Sequence, residues 1–216
     1  MRVVAIVQAR LDSTRLPGKV LLPLAGQPMI AQLTKRLSRS QRIDQIVIAV
    51  PYGEEKIALM SPVGNVYAGP RGYADDCLGR TLEAALRFDA DLIVRVPGDN
   101  PLVHPDAVDL AVDRWSEGAV VNNIQGHGWP DGIGAWVFSL KFLQWADRML
   151  IGQAEREHLR FHVPEDSPPC PPAYAYPDLR LDVNTKEDYE YVARIYDRLG
   201  PDCTVADIVK AGLDQR

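Results

Sequence analysis

Three basic side chains are interleaved with turn-forming residues in the segment 8–19, which reads QARLDSTRLPGK. The basic residues are Arg10, Arg15 and Lys19, and the turn-forming residues include Ser13, Thr14 and Gly18. Backbone amides in such a loop can converge on phosphate oxygens, while the cations neutralise a triphosphate. The segment matches neither the P-loop nor the dinucleotide-binding pattern. An ordinary charged turn is the alternative, but three cations around a Pro-Gly pair favour phosphate binding.

A carboxylate stands in a similar place later in the chain, where Gly98-Asp-Asn-Pro101 follows the strand-like segment 91–96. Open α/β folds bind their ligands at the carboxyl ends of parallel strands, so we expect Asp99 beside the basic loop. Mg²⁺ is commonly held by one or two carboxylates together with substrate phosphates and water, which makes Asp99 the leading candidate ligand. The alternative is that Asp99 caps a helix beginning near Pro105, a role that Asp106 makes unnecessary.

Alternating strands and helices must position these two segments. β-branched runs predict buried strands, and apolar residues at helical spacing predict helices between them. The strands are expected at residues 2–8, 43–50, 65–68 and 91–96, and the helices at residues 28–38, 54–60 and 75–88. This alternation predicts a mostly parallel sheet with helices on both faces.

The second half of the chain is less regular. Strands are expected at residues 119–124, 134–139 and 179–183, and helices at residues 140–150, 154–162, 186–199 and 205–211, the last capped by Thr204. Residues 164–177 contain six prolines and predict a stiff, irregular loop. No internal repeat is seen, and we expect one α/β domain over residues 1–216 with a small β-extension.

Composition excludes several classes of protein. The 216 residues are 46% hydrophobic and 25% charged, which is typical of a globular domain and not of a disordered or fibrous chain. The net charge of −5 argues against general nucleic-acid binding. Apolar runs fall far short of the ~20 residues that span a bilayer, and no cleavage site follows Met1, so we expect a cytoplasmic protein without a membrane partner. Cys77, Cys170 and Cys203 are scattered, which indicates neither a disulfide framework nor a thiolate zinc site.

The charges are unevenly distributed along the chain. Residues 1–42 carry eight Lys or Arg against a single acid, Asp12, which favours a small anionic ligand near this end. We expect four of these basic residues to form a solvent-exposed helix face: Lys35, Arg36, Arg39 and Arg42.

The stretch IVQARLDSTRLPGKVLLPLAGQPMI resembles the start of the cytidylyltransferases that activate acidic sugars. The resemblance is strongest to the branch named for spore coat polysaccharide biosynthesis, with relatives acting on sialic-acid-like and 3-deoxy-octulosonic sugars. Later segments resemble the family's D-V-L-x-R, R-x-x-G-D-x-P-L-x-x-P, P-D-G, R-E-H and V-D-T-P-E-D-Y elements in order: DDCLGR at 75–80, RVPGDNPLVHP at 95–105, WPDG at 129–132, REH at 156–158 and LRLDVNTKEDY at 179–189. The resemblance spans nearly the whole chain and implies a Rossmann-like fold of the nucleotide-diphospho-sugar transferase type.

The resemblance implies nucleotidyl transfer, in which a sugar hydroxyl attacks the α-phosphorus of CTP and pyrophosphate leaves. Catalysis would depend on in-line positioning and on charge stabilisation by Mg²⁺ and by the protein's cations, without a dedicated general base. Arg10, Arg15, Lys19 and Asp99 would take these catalytic roles. The implied nucleotide-binding residues are Gln8, Ala9, Arg10, Ser13, Arg15, Lys19, Asp75 and Arg80. Two alternatives stay open, because Arg80 could pair with Asp76 at i,i+4 and Gln8 could simply end a strand.

One position departs from the family pattern. Where the family has a second metal-binding aspartate, this chain has Asn184, and Asp182 lies two residues earlier. Residues two apart on a strand point to the same face, so both side chains could face the metal. An amide oxygen can ligate a hard cation but carries no charge. We expect Asp99 together with Asp182 or Asn184 as ligands, and the departure leaves open an altered metal affinity or a degenerate site.

The implied sugar-binding residues are Asp131, Gly132, Arg156, Glu157 and His158. Because arginine pairs bidentately with carboxylates, Arg156 or Arg160 would recognise the acidic group of the sugar. His158 and His162 are four residues apart, a spacing that can bind zinc. The glutamate of an HExxH motif and a third ligand are missing, so a structural role is expected for one of these histidines.

Two other functions fit parts of the sequence. A sugar-1-phosphate nucleotidyltransferase or a glycosyltransferase on the same architecture would carry a DxD-like metal pair, whereas this chain has Asp75-Asp76. A nucleotide-binding protein without catalytic activity would explain Asn184, but it would not explain the basic loop and Asp99 together.

The resemblance also implies a homodimer joined around residues 129–138. Trp129, Trp136 and Phe138 in this segment suit the core of an interface. Burial within one chain is the alternative for Trp136.

Overall fold

The computed structural model describes residues 1–69, 76–122, 128–159 and 163–215. Its main strands are β1 (Val3–Gln8), β4 (Gln45–Val50), β5 (Asn65–Ala68), β6 (Leu92–Pro97), β7 (Val121–Asn122) and β8 (Trp136–Ser139), and a separate ribbon contains β2 (Pro23–Leu24) and β3 (Gln27–Pro28). The main sheet has the order β5-β4-β1-β6-β8-β7. Strands β1, β4, β5 and β6 are parallel, and β8 runs antiparallel to both of its neighbours. The predicted α/β fold with a mostly parallel sheet is confirmed.

Helices cover both faces of this sheet. They are α1 (Met29–Leu37), α2 (Lys56–Leu59), α3 (Cys77–Arg87), α4 (Pro105–Arg114), α5 (Leu140–Met149), α6 (Gln153–His158), α7 (Lys186–Leu199) and α8 (Val205–Leu213). Ala5 and Val94 face the layer that contains α1, α4, α7 and α8, whereas Ile6 and Ile93 face the layer that contains α3 and α5. Strands buried on both sides need continuous apolar sequence, which explains the β-branched runs.

None of the helices in the described part of the chain combines the length and the apolar composition needed to cross a bilayer.

The segment expected as a strand at residues 179–183 is extended but forms only an isolated bridge to Asp131. Leu181 N donates to Asp131 O at 3.0 Å, and Val183 N donates to Asp99 O at 2.8 Å. Because the segment bonds to a different partner at each end, no continuous ladder forms. It instead ties the loop before β8 to the end of β6.

Two other predicted elements are shorter in the structure. The helix expected over residues 154–162 ends at His158, after which Leu159 has a φ of 50° in the left-handed region. The strand expected over residues 119–124 does not include residues 119 and 120, and its described part is β7. Residues 160–162 and 123–127 lie outside the described residues.

Arg36 contradicts the expected solvent-exposed basic face of α1, because it is only 1% exposed. Its Nε donates to Val103 O at 2.9 Å, its Nη1 donates to Pro201 O at 2.7 Å, and Nη1 also contacts Cys203 Sγ at 3.4 Å. The side chain therefore binds backbone carbonyls of two loops instead of water. The other members of the expected face are at least partly exposed: Lys35, Arg39 and Arg42.

His104, and not Asp99, caps helix α4. Asp106 N donates to His104 Nδ1 at 3.3 Å, and His104 Nε2 lies 3.2 Å from Cys203 O, a pattern that assigns the ring proton to Nε2. Burial and the nearby Arg36 guanidinium lower the pKa of His104 to about 4. The cap therefore uses a neutral imidazole.

Acidification should destabilise the fold through His104. The unfolded chain binds a proton at this residue below about pH 6.5, whereas the folded imidazole stays neutral down to about pH 4, so stability falls as the pH drops through this window. The loss is at most about 3 kcal/mol. His104→Asn keeps an N-cap acceptor and should reduce the pH dependence of the unfolding free energy, measured by urea denaturation at about pH 7 and about pH 4.5. Equal pH dependence in the two proteins would contradict this assignment.

Candidate active site

A cleft of about 1110 Å³ opens at the carboxyl ends of β1 and β6. Most of the site residues predicted from the sequence line it: Gln8, Ala9, Arg10, Ser13, Arg15, Lys19, Arg80, Asp99, Asp131, Glu157, His158, Asp182 and Asn184. Gly132 and Arg156 are not among the lining residues, and Asp75 lies outside the described residues. The structure thus brings distant segments of the chain to one cleft.

The basic loop is closed on Leu11. Leu11 O accepts from the amides of Ser13 and Gly18, each at 2.9 Å, and Leu11 N donates to Glu54 Oε2 at 2.8 Å. Gly18 has a φ of 69°, a left-handed conformation that favours glycine. The amides of Ser13 and Gly18 are therefore used within the loop, and the basic side chains carry its capacity to bind phosphate.

Lys19 is the centre of the polar end of the cleft, although the residue is only 8% exposed. Its Nζ donates to Asp99 Oδ2 and to Val183 O, both at 2.7 Å, and lies 3.3 Å from Asn184 Oδ1. The ion pair with Asp99 is partly shielded from water, which strengthens it relative to a surface pair. One ammonium thus joins the loop, the end of β6 and the segment at 183–184.

A close approach of β1 and β6 places Asp99 beside the loop. Gly98 N donates to Gln8 O at 2.7 Å, and a Cβ on Gly98 would lie 2.5 Å from the same oxygen. Any side chain at this position would force the strand ends apart, so glycine is required here. The predicted neighbourhood of Asp99 and the basic loop is present.

The Asn184 carboxamide lies between cations and a carboxylate. Its Oδ1 accepts from Arg15 Nη2 at 2.7 Å and faces Lys19, while its Nδ2 donates to Asp182 Oδ2. These partners assign the orientation of the amide. Asp182 and Asn184 therefore face one site, as their spacing predicts, and an aspartate at 184 would bring two carboxylates into contact.

Asp131 supplies a further carboxylate to this end of the cleft. Gly132 has a φ of 93°, and a Cβ there would lie 2.7 Å from Asp182 N, so the glycine lets this turn pack on the neighbouring segment. Arg180 Nη2 lies 3.0 Å from both oxygens of Asp182, and Arg180 Nε lies 4.0 Å from Asp131 Oδ2. Burial, with repulsion from Asp182 and Asp99, raises the pKa of Asp131 to about 6.

The donor set at this end fits a hard divalent cation. The Lys19 ammonium stands among oxygens of Asp99, Val183 and Asn184, and oxygen is the ligand type that Mg²⁺ prefers. Within the described ranges, no group of three or more His, Cys, Asp or Glu side chains could hold a metal by itself. The residues therefore suit a cation shared with ligand phosphates.

The Gln8 side chain is engaged at the base of the cleft. Its Nε2 donates to Cys77 O at 3.0 Å and to Thr81 Oγ1, and its Oε1 accepts from Arg95 Nε at 3.0 Å. The amide therefore links β1 to α3 and to β6. Gln8 therefore contacts the nucleoside, if it binds here as expected, only through its backbone and the aliphatic part of its side chain.

Arg95 and Trp136 also line the cleft, and neither was expected from the sequence to bind a ligand. Arg95 is 7% exposed, and its guanidinium carbon lies 4.2 Å from the centre of the Trp136 ring. Burial lowers the pKa of Arg95 to about 10, which leaves the group charged at neutral pH. A signal was present in the sequence, because Arg95 is the one charged residue in the apolar run LIVRVP of β6.

Arg80 is 2% exposed and lines the cleft at the start of α3. Its Nη2 lies 3.1 Å from Cys77 Sγ. The alternative pairing with Asp76 is not formed, because Asp76 caps α3 and pairs with Arg156 at 2.8 Å. Arg80 thus keeps its place as a candidate nucleotide-binding residue.

Arg156 does not take the position expected of a sugar-binding residue. Its Nη2 lies 2.8 Å from Asp76 Oδ2 and 2.7 Å from Asp147 Oδ1, and its Nη1 donates to the carbonyls of Asp147 and Leu150 at 3.0 Å. These contacts hold the start of α3 against the end of α5 and use the guanidinium fully. The structure therefore does not bring Arg156 to the cleft, as the expected recognition of a sugar carboxylate requires, and Arg160 lies outside the described residues.

The neighbouring residues of α6 do reach the cleft. Arg10 Nη2 donates to Glu157 Oε1 at 2.8 Å, which joins the basic loop to α6. His158 is exposed and lines the cleft, whereas His162 lies outside the described residues. The zinc spacing of the two histidines is therefore not tested.

The aromatic residues expected at a dimer interface are engaged within the chain. Trp129 and Phe138 are completely buried, and Trp136 packs on Arg95. Folding of the chain therefore covers Trp129 and Phe138, which are not available as the core of an interface, whereas Trp136 is half-buried.

Comparisons with known proteins agree with this geometry. A model of the cytidylyltransferase family matches residues 4–127. The chain is 28% identical over 224 residues to the spore coat polysaccharide biosynthesis protein SpsF of Bacillus subtilis, covering 94% of this chain and 91% of that protein. It is 34% identical over 121 residues to a 3-deoxy-manno-octulosonate cytidylyltransferase of Geobacter sulfurreducens, covering 56% of this chain and 48% of that protein.

A solved structure of a cytidylyltransferase from Leptospira borgpetersenii superposes on this fold with a TM-score of 0.88. The two chains are 27% identical, and the match covers 100% of this chain and 95% of that one. Since the family model also covers more than half of the sequence, the protein belongs to the cytidylyltransferase family and is a CTP-dependent nucleotidyltransferase.

Proposed function

We propose that the protein transfers CMP from CTP to an acidic sugar of the sialic-acid-like or 3-deoxy-octulosonic class, with release of pyrophosphate, for surface polysaccharide biosynthesis. The observation that carries this proposal is the convergence of Lys19, Asp99 and Asn184 at one point of the cleft, beside Arg15. The names of the SpsF and 3-deoxy-manno-octulosonate relatives support the choice of acceptor.

The basic loop binds the triphosphate in this proposal. Lys19 and Arg15 donate to phosphate oxygens, and Arg10 is held at the rim by Glu157. The sugar hydroxyl attacks the α-phosphorus, the bond from that phosphorus to the bridging oxygen breaks, pyrophosphate leaves, and the hydroxyl proton passes to solvent. Fixed cations near the equatorial and leaving oxygens stabilise the charge that develops there.

Asp99 and Asn184 would hold Mg²⁺, which when bound neutralises charge on the triphosphate. Asn184 is preferred to Asp182 as the second ligand because its Oδ1 shares the Lys19 ammonium with Asp99. Asp182 then acts as a positioning residue, since it accepts from the Asn184 amide and is held by Arg180.

Base recognition is assigned to Arg80, to the backbone of Ala9 and to Asp75. The Gln8 amide is excluded from this role because all its polar atoms are engaged within the fold. The proposal treats the whole chain as one catalytic domain. It also includes a homodimer, formed by surfaces other than Trp129 and Phe138.

The first prediction concerns the substrates. CTP should stabilise the protein against heat more than ATP, GTP or UTP, and its affinity should be at least about tenfold higher, or about 1.4 kcal/mol. Pyrophosphate should be released from CTP in the presence of Mg²⁺ and a sialic-acid-like or 3-deoxy-octulosonic sugar. Lys19→Met removes an ammonium that binds the triphosphate in this proposal, so this variant should lose most of the stabilisation by CTP. Equal stabilisation by all four nucleotides would refute the base assignment, and absence of turnover with every acidic sugar would refute the proposed acceptor.

The second prediction concerns the metal. Asp99→Asn and Asn184→Ala should each raise the Mg²⁺ concentration that gives half-maximal pyrophosphate release by more than about 100-fold, because each removes a ligand oxygen. Asp182→Asn should cost less, about 10–100-fold, because it loosens the orientation of a ligand. Asn184→Asp should be tolerated or should tighten the metal by adding charge. Mg²⁺ titrations measure all four effects, and an Asp182→Asn variant that is more damaged than Asn184→Ala would assign the metal to Asp182 instead.

The third prediction concerns Arg156. Arg156→Met leaves Asp76 and Asp147 without their cation, so the unfolding free energy should fall by about 1–3 kcal/mol. The KM for the acidic sugar should remain within about threefold of wild type below the unfolding temperature, because the side chain does not line the cleft. Denaturation and steady-state kinetics test the two halves, and a large rise in KM with unchanged stability would restore Arg156 as a sugar-binding residue.

A further inference from the structure

The cations that line the cleft differ in their partners. Arg10, Lys19 and Arg180 are paired with carboxylates of the chain itself. Arg15 is exposed to water, which screens its charge. Arg95 is stabilised in neither way. It is buried, and no carboxylate lies within ion-pair distance of it in the described ranges.

The partners of Arg95 are neutral. Its Nε donates to the Gln8 amide oxygen, and its guanidinium stacks on the Trp136 ring. Gln8 is itself held by Cys77 and Thr81, so the guanidinium is fixed in place before any ligand arrives. The arrangement is preorganised, which reduces the entropy lost on binding.

In the stacked pair of Arg95 and Trp136, two buried donors have no acceptor among the described residues. They are Arg95 Nη1 and Trp136 Nε1. Buried N–H groups without acceptors are costly, and more so when the group is charged. Both side chains line the cleft, so a ligand group could supply the missing acceptors.

The chemistry of these donors favours a carboxylate. A guanidinium matches the two oxygens of a carboxylate in planar geometry, and such a pair gains strength at a site shielded from water. The phosphates of CTP are assigned to Lys19 and Arg15 at the rim, a separate group of cations.

The position of Arg95 also suits binding of the carboxylate of the acceptor sugar. Arg95 lies four residues before Asp99, a separation of at most about 13 Å because the strand ends at Pro97 and the chain then turns, and the arginine side chain shortens this distance from one end. In sialic-acid-like and 3-deoxy-octulosonic sugars, the carboxylate is bonded to the carbon whose hydroxyl attacks CTP. A carboxylate held at the floor of the cleft would orient that hydroxyl towards the rim.

We infer that Arg95, supported by Gln8 and stacked on Trp136, binds the carboxylate of the acidic sugar and selects acidic over neutral acceptors. This assignment rests on the proposed function and replaces the one expected for Arg156.

The test compares Arg95→Met and Arg95→Lys with wild type in steady-state kinetics, using the acidic sugar and its carboxamide. Arg95→Met should raise the KM for the acid about 100-fold while the KM for CTP changes less than about threefold. Wild type should prefer the acid to the carboxamide by about 100-fold, and Arg95→Met should lose that preference. Arg95→Lys keeps the charge without the planar fork and should recover part of the preference.

The matched control is Arg87→Met, which removes an exposed arginine from α3 and should leave both KM values unchanged. Thermal midpoints of the ligand-free proteins check folding, and Arg95→Met should stay within a few degrees of wild type because no ion pair is lost. Retention of the acid preference in Arg95→Met would overturn the assignment. A rise in the KM for CTP alone would also overturn it and place Arg95 at the nucleoside. Absence of turnover by wild type with any acidic sugar is a different outcome, because it refutes the proposed function first.

Discussion

The buried ammonium of Lys19 connects three segments that are far apart in sequence, at residues 19, 99 and 183–184. The loop from Leu11 to Gly18 folds on itself and delivers Lys19 at its end. The approach of β1 and β6 at Gly98 delivers Asp99, and the backbone bond between Val183 and Asp99 O delivers the third segment. Without a cation at this point, the carboxylates gathered here would repel one another, so the geometry of the polar end depends on it.

An amide at position 184, where the resemblance implies an acid, changes where the negative charge lies. Asn184 turns its oxygen to Arg15 and Lys19 and its NH₂ to Asp182, so it connects opposite charges without carrying one. An aspartate in its place would face Asp182 directly, and the region already contains Asp131, whose pKa is raised to about 6 mainly by burial and further by repulsion from Asp182. A carboxylate at Asp182, two residues before Asn184, keeps a negative charge near the site and lies beside Arg180. The structure thus favours an amide oxygen next to Lys19 with a carboxylate behind it.

Local sequence patterns predicted the strands and helices better than they predicted which residues these elements contact. The β-branched runs identified β1, β4 and β6 because strands buried on both sides have no polar alternation, and they also identified the partly exposed edge strand β5. The segment 179–183, which reads LRLDV, alternates apolar and charged residues as a half-buried strand does, yet it forms no ladder, since the pattern cannot tell whether a neighbouring strand offers one. Arg36 was expected in water because the two loops that supply its acceptors are 67 and 165 residues away. The contacts of Arg156 were missed for the same reason, since Asp76 is 80 residues from it. Asp99 and the basic loop were predicted correctly as neighbours because strand ends in a parallel sheet share one edge.

Strand β6 sets the spacing between the two ends of the cleft, because it carries Arg95 at one end and leads to Asp99 at the other. Val94 and Val96 face one helix layer, whereas Arg95 points to the other face, where it meets Trp136 across the antiparallel pair with β8. Asp99 follows beyond the last residue of the strand and turns to Lys19. A slip of one residue in this register would move Arg95 into the apolar layer under α1 and α4 and would displace Asp99 from the ammonium. The spacing between the deep guanidinium and the carboxylate at the rim is therefore set by backbone pairing with β1 and β8, and side-chain flexibility has little influence on it. This rigidity suits a reaction that depends on in-line alignment of two bound substrates.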